Sequence, residues 1–409
     1  FERRLFRRGI WIMNLFEKTL SETGAAKKVT IQGMTKTFPV FRIPLDYLVY
    51  NKKNGRIATY VSQFIDEGNE FPTNNNEEFN KIIEGYIEKS NPLALKKTKK
   101  NIQLMQQIEP AVVLSNGIVL DGNRRFTSLR QLSREGAGAE FGYLEAIILE
   151  EGKYSEKDIK RLELNLQHAT ESRVDYNPID RLVDVYRDVI KEPATFTVEE
   201  YATEIDESKS KVRNYIRRAN LMIEYLEYIG QPLKFYIARD QQIDGPINDA
   251  IRFIDDDTDV ELKEFLFLNI LILDGDKSRN IREVGELIKN SRLSLELLEE
   301  LEDSNVLEEA NDYFESDETK ELVSKTGVLN LDKDIKEKLL NVTEAYVEKD
   351  KLSNAQHQPI ELLNKTYSII KEVDSDAVQR MNEELKTKFF SVLTRIEEKV
   401  KKLKDENTD

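Results

Sequence analysis

The sequence contains no cysteine and only two histidines, His168 and His357. Disulfides, thiolate metal sites and cysteine nucleophiles are therefore excluded, as is any site needing three histidines. A metal held by this chain would be a hard cation on oxygen ligands, most naturally Mg²⁺ beside a phosphate. The lack of cysteine suits a reducing compartment, and a cytoplasmic location is the expectation. Long apolar runs are missing too. No stretch approaches the ~18 residues needed to cross a bilayer, so no membrane partner is expected. The opening FERRLFRRGIWIM is basic and amphipathic but lacks the apolar stretch and small-residue cleavage site of a secretory signal. With Met13 opening a plausible reading frame, it reads as an extension or a short docking helix.

Positive charge is scarce overall. The net charge of −15 excludes a uniformly basic nucleic-acid binder, but the acidity is unevenly spread. From Ser291 to Asp409 there are 18 Lys/Arg against 29 Asp/Glu, so the first 290 residues carry only −4 of the total. A basic face is permitted there. The length of 409 residues allows two or three domains and an ample core.

The most informative stretch is VVLSNGIVLDGNRRFTSLRQL, Val112 to Leu132. Two β-rich runs flank Asn116-Gly117, which reads as a hairpin because both residues tolerate positive φ. The second run meets Asp121-Gly122-Asn123-Arg124-Arg125, and Phe126, Leu129 and Leu132 then recur at helical spacing. A helix start already carries partial positive charge. Two arginines there are unfavourable unless an anion binds, with Gly122 admitting it to the backbone amides and the guanidinium groups clamping it. A surface turn with solvated arginines is the alternative.

Around this stretch the chain reads as strand, helices, hairpin, helix, strand, helix. Phe38 to Val49 gives a short strand, followed by a polar turn through Asn54, Gly55 and Arg56. Glu77 to Lys89 and Ile102 to Ile108 read as helices, Phe141 to Leu149 as a strand, and Ser155 to Gln167 as a helix capped by Ser155 and Asp158. Lys96, Lys97, Lys99 and Lys100 are either a phosphate contact or a solvated helix start. From Pro178 onward the periodicity is helical. Thr197 to Ile205 and Lys209 to Met222, joined by a tight turn, fit a helix-turn-helix. The second of these helices carries Lys209, Lys211, Arg213, Asn214 and Arg217 outward, the residue types that contact phosphates and base edges in a DNA major groove. Ser304 to Asp334 reads as an acidic linker. Helices are expected at Ile335 to Glu348, Pro359 to Val373 and Ala377 to Lys404.

In order and spacing these pieces resemble ParB-like proteins. Gly122-Asn123-Arg124-Arg125 with Ser128 resembles the family's arginine box, and Asn51 to Arg56 loosely matches its first box. Leu164-Asn165-Leu166-Gln167-His168 leading to Asp175-Tyr176-Asn177-Pro178-Ile179-Asp180 resembles its third, and Ser208 to Arg217 its helix-turn-helix. The resemblance covers about residues 38–225. It implies an α+β fold: a ParB/sulfiredoxin-like nucleotide-binding domain at 37–170 after an N-terminal extension at 1–36. Outside the resemblance, periodicity and charge give a helical domain at 231–334 and acidic C-terminal helices at 335–409; within it, a helix-turn-helix region at 171–230 would follow. The resemblance further implies a nucleoside triphosphate, CTP or ATP, with Mg²⁺. Gly55, Arg56, Gly122, Asn123, Arg124, Arg125, Asn165, Gln167 and His168 would contact the nucleotide, and Asn165 and Glu163 the metal. Asn123 and Leu164 stand where the family carries acids, which argues for binding over hydrolysis.

The expected function is therefore a nucleotide-gated DNA-binding protein, homodimeric, of a plasmid, phage or bacterial-defence system. Two alternatives stay open. One is a nuclease, NTPase or phosphotransferase using Asp121, Glu163 or Asp46 as its carboxylate. The other is an interaction protein with a vestigial nucleotide site, recruiting a partner through its C-terminal helices.

Overall fold

The computed structural model describes residues 14–170, 177–272, 277–326 and 328–406. Six strands form one mixed sheet in the order β1-β2-β6-β4-β5-β3. They are β1 (Ser21–Ile31), β2 (Met34–Pro44), β3 (Val49–Tyr50), β4 (Ala111–Leu114), β5 (Ile118–Asp121) and β6 (Tyr143–Leu149). β4 and β5 are the expected Asn-Gly hairpin, antiparallel with Val113 opposite Val119. β6 runs parallel to β4 and antiparallel to β2. Helices α1 (Ala58–Asp66), α2 (Asn76–Ser90), α3 (Pro92–Met105), α4 (Asn123–Arg134) and α5 (Glu156–Thr170) complete this region.

Alternation along the central strands explains their continuous apolar runs. Ala111, Val113, Val119, Ala146 and Ile148 join a core with Phe79, Ile83, Phe126 and Leu129 of α2 and α4. Val112, Leu114, Leu120, Ile147 and Leu149 face a second core with Leu162 of α5. Strands buried on both faces lose the polar half of the alternating pattern.

Beyond Pro178 the described chain is helical: α6 (Pro178–Val185) with a π-turn at Tyr186–Ile190, α7 (Val198–Glu204), α8 (Lys209–Tyr228), α9 (Phe235–Asp240), α10 (Asp244–Ala250), α11 (Val260–Ile272), α12 (Lys277–Lys289) and α13 (Ser291–Ser304). Then follow α14 (Val306–Glu315), α15 (Asp317–Thr326), α16 (Lys333–Lys371), α17 (Ser375–Gln379) and α18 (Glu383–Glu406). The chain divides into two compact units after Thr343.

Three expectations need correction. The stretch read as an N-terminal extension, residues 1–36, contains all of β1 and the start of β2, which meet at Gln32 and Gly33, both with positive φ. β1 is a polar edge strand, exposed over most of its length, so no hydrophobic pattern announced it. The acidic stretch from Ser304 to Asp334 is not a linker but holds α14 and α15, with Val306, Leu307, Ala310 and Phe314 buried at helical spacing. The helices expected on either side of Pro359 are one 39-residue helix, α16, with Pro359 inside it.

Candidate anion-binding cleft

β5 ends at Asp121 and the chain turns at Gly122, whose φ of +99° is left-handed. A Cβ at this position would lie 2.8 Å from the Ala111 Cβ and 3.2 Å from two Arg125 nitrogens. Glycine is required here on both counts. α4 then begins at Asn123; its N-cap is Gly122, which has no side chain to cap the amides, and its first turn holds no acid. The positive end of the helix dipole therefore meets no acidic side chain of its own first turn.

The two arginines have different surroundings. Arg125 donates from Nη2 to Asp121 Oδ2 at 2.7 Å and from Nη1 to the Glu109 carbonyl, so it is fixed across the Gly122 turn. Arg124 is half-buried at the cleft wall, and its carbonyl accepts from Ser128 Oγ at 2.9 Å. A third guanidinium arrives from far away in sequence. Asn54 is buried and its Oδ1 accepts from the Arg56 amide at 3.1 Å, shaping the turn at Gly55–Ile57. Asn54, Arg56, Asp121, Gly122, Asn123, Arg124 and Arg125 line one cleft of about 370 Å³, closed by Ser90 of α2, Thr98 and Asn101 of α3, and Glu109. Both cleft acids are engaged: Asp121 with Arg125, and Glu109 with Lys27 at 2.7 Å. The cleft is thus cationic in effect, with a volume typical of a small-molecule site.

Asn123 is only 8% exposed. Its Oδ1 is buried without a hydrogen-bond partner.

The other expected site residues lie elsewhere. Asn165 on α5 donates to Glu204 of α7 at 3.0 Å. Glu163 is buried among Lys160, Asp184, Asp188 and Arg187, with Lys160 Nζ at 3.9 Å and Asn51 Nδ2 at 3.5 Å. Burial pushes its carboxyl above the ordinary range despite the Lys160 charge. Neither residue lines the cleft. Among the described residues no group of three His, Asp or Glu is arranged to hold a metal ion. The side chains of Gln167 and His168, and all of Asp175 and Tyr176, lie outside the described residues. Asp46 is exposed on the short helix Leu45–Tyr47, away from the cleft lining. Asn54, Ser90, Thr98 and Asn101 were missed; only Asn54, preceding glycine in a polar turn, carried a readable signal.

The segment after Arg56 is fastened to the helical region. Thr59 at the start of α1 donates its amide to Asp180 Oδ1 on α6 at 3.2 Å. Arg239 on α9 donates to Thr59 Oγ1 and Gln63 Oε1, both at 3.0 Å, and stacks 3.8 Å from the Tyr60 ring centroid. Tyr236 donates to Asp66 at 2.6 Å. On α8, Ser208 caps the helix, and Val212, Tyr215 and Ala219 are buried. Lys209, Lys211, Arg213 and Arg217 are exposed and Asn214 is half-buried. Lys209 pairs with Glu199 at 3.2 Å and Lys211 with Glu207 at 3.4 Å, while Arg217 donates to the Ile251 carbonyl at 2.6 Å.

No protein-family model matches the sequence, and no curated protein does. Among solved structures the chain is similar to one described as a Pnob8-like ParB-N domain, over 62% of this chain and 99% of that one, at 14% identity and a TM-score of 0.31. A likeness at that level assigns neither family nor function.

Proposed function

We propose that the chain binds a nucleoside triphosphate in the cleft at the start of α4 and engages DNA through the exposed basic side of α8. The observation that carries this reading is the convergence of Arg56, Arg124 and the fixed Arg125 on an uncapped helix N-terminus behind Gly122. Charge-assisted donors and oriented amides are what a polyphosphate needs. The DNA half rests on Lys209, Lys211 and Arg213. The Lys209–Glu199 pair is solvent-exposed, contributes little to stability and can be exchanged for a phosphate contact, while Lys211 is itself exposed although its partner Glu207 is not. Hydrolysis is the weaker reading, because the cleft's Asp121 is engaged by Arg125 and is not available as a base without breaking that pair.

Thermal unfolding tests the binding claim. CTP, ATP and GTP, each with and without Mg²⁺, should include at least one that stabilises the protein, by ~2.7 kcal/mol at a hundred times Kd. Arg56→Ala combined with Arg124→Ala should abolish that gain while sparing the Arg125 anchor. Absence of stabilisation by all three nucleotides would refute the reading.

A further inference from the structure

Two acids line the cleft, and they are held differently. Asp121 accepts from Arg125 at 2.7 Å, and both side chains are largely buried. The Glu109 side chain is instead 52% exposed, and its Oε1 accepts from Lys27 Nζ at 2.7 Å. Lys27 is the confined member of that pair. It comes from β1, its side chain is 10% exposed, and Nζ also donates to the Pro110 carbonyl at 2.6 Å. Arg125 Nη1 donates to the preceding carbonyl, that of Glu109. Lys27 and Arg125 thus hold consecutive carbonyls of the segment that closes the cleft. A confined cation keeps a counter-charge, but the exposed carboxylate that supplies it here can return to water at little cost.

Resting on the function proposed above, we infer that Glu109 is a built-in stand-in for a ligand phosphate and that Lys27 is a fourth cation of the site. A polyphosphate lying over Arg125 displaces the Glu109 carboxylate and takes its place on Lys27 Nζ. An ammonium has three donors. The one given to Pro110 holds it in position, and the one given to Glu109 is released to a phosphate oxygen. The exchange gains charge, because a terminal phosphate carries about −1.5 to −2 against the single charge of a carboxylate. Glu109, already half in water, regains its hydration. If the pair were only a tether between β1 and the cleft wall, ligand affinity would not depend on Glu109 through Lys27.

The experiment is calorimetric titration of the full chain with CTP, ATP and inorganic tripolyphosphate. Glu109→Gln should tighten binding of tripolyphosphate and of the accepted nucleotide about threefold, the scale of a half-exposed ion pair. Lys27→Met should weaken both about tenfold, the scale of one charge-assisted hydrogen bond, and Lys27→Arg should restore most of that loss. In the Lys27→Met background the gain from Glu109→Gln should vanish, because the carboxylate then has no cation to occupy and turns to water. Lys27→Gln serves if the methionine variant does not fold. An equal gain in both backgrounds would overturn the inference, since Glu109 would then act by repulsion alone. So would unchanged affinity in either single variant, or a loss in Lys27→Met confined to nucleotides. Each of these leaves the proposed function standing. Failure of wild type to bind any of the three ligands would overturn both.

Discussion

Single residues decide whether the cleft exists. Gly122 combines positive φ with contact to Ala111 and Arg125. Gly122→Ala should cost about 1–3 kcal/mol, read as a lower urea midpoint with unchanged slope. The need for glycine here was legible in the sequence, as was the oddity of two arginines opening a helix. What could not be read was that Arg125 spends its donors on Asp121 and Glu109, or that Asn123 is buried, since both depend on which segments fold over the turn. Asp180 was legible only as part of a motif. Burial pushes its carboxyl from 3.8 up to about 7, against the hydrogen bonds from Thr59. A carboxyl whose folded value is raised favours the fold most below its unfolded value, and this advantage is lost as pH rises through about 7. Asp180→Asn, which resembles the protonated acid, should therefore match wild type near pH 4 and exceed it by a few kcal/mol, on the order of magnitude such a shift implies, at pH 8. Denaturant titrations of both proteins across that range check the sign; a gain confined to acid pH would refute it.

At the scale of elements, strong local signals were readable and polar or context-dependent ones were not. The Asn-Gly hairpin, the Ser155–Asp158 cap, which forms with Asp158 N at 3.1 Å from Ser155 Oγ, and the buried face of α8 all follow from turn chemistry and periodicity. β1 could not be read, because an exposed edge strand has no apolar alternation to reveal it. α16 passes Pro359 because residues on either side favour helix strongly enough to absorb one lost hydrogen bond. The joint between α1, α6 and α9 depends on contacts between distant residues. Arg239 makes two hydrogen bonds and a ring contact to α1, directly after the turn that carries Arg56. Arg239→Ala should loosen that segment. Hydrogen exchange would then show faster exchange over residues 58–66, with β4 and β6 unchanged; uniform protection in both proteins would show that Arg239 does not hold the joint.

For the whole molecule, the charge distribution is the most useful property that the sequence alone provides. Acidity concentrated after Ser291 leaves the earlier chain free to present Lys209, Lys211 and Arg213 on one exposed helix side. DNA binding through that side should weaken steeply with salt. Replacing the three cations by alanine should reduce the slope of log affinity against log salt by about 3, measured by fluorescence anisotropy; an unchanged slope would move the DNA contact elsewhere. The central claim, however, is the cleft, because there distant parts of the chain converge on one chemistry. Its most direct test is a calorimetric titration of nucleoside triphosphate into the intact chain and into the Arg56→Ala, Arg124→Ala variant. Saturable one-site binding in the first, weakened at least tenfold in the second, is the result expected. No binding to the intact chain, or equal binding to both, would contradict the account.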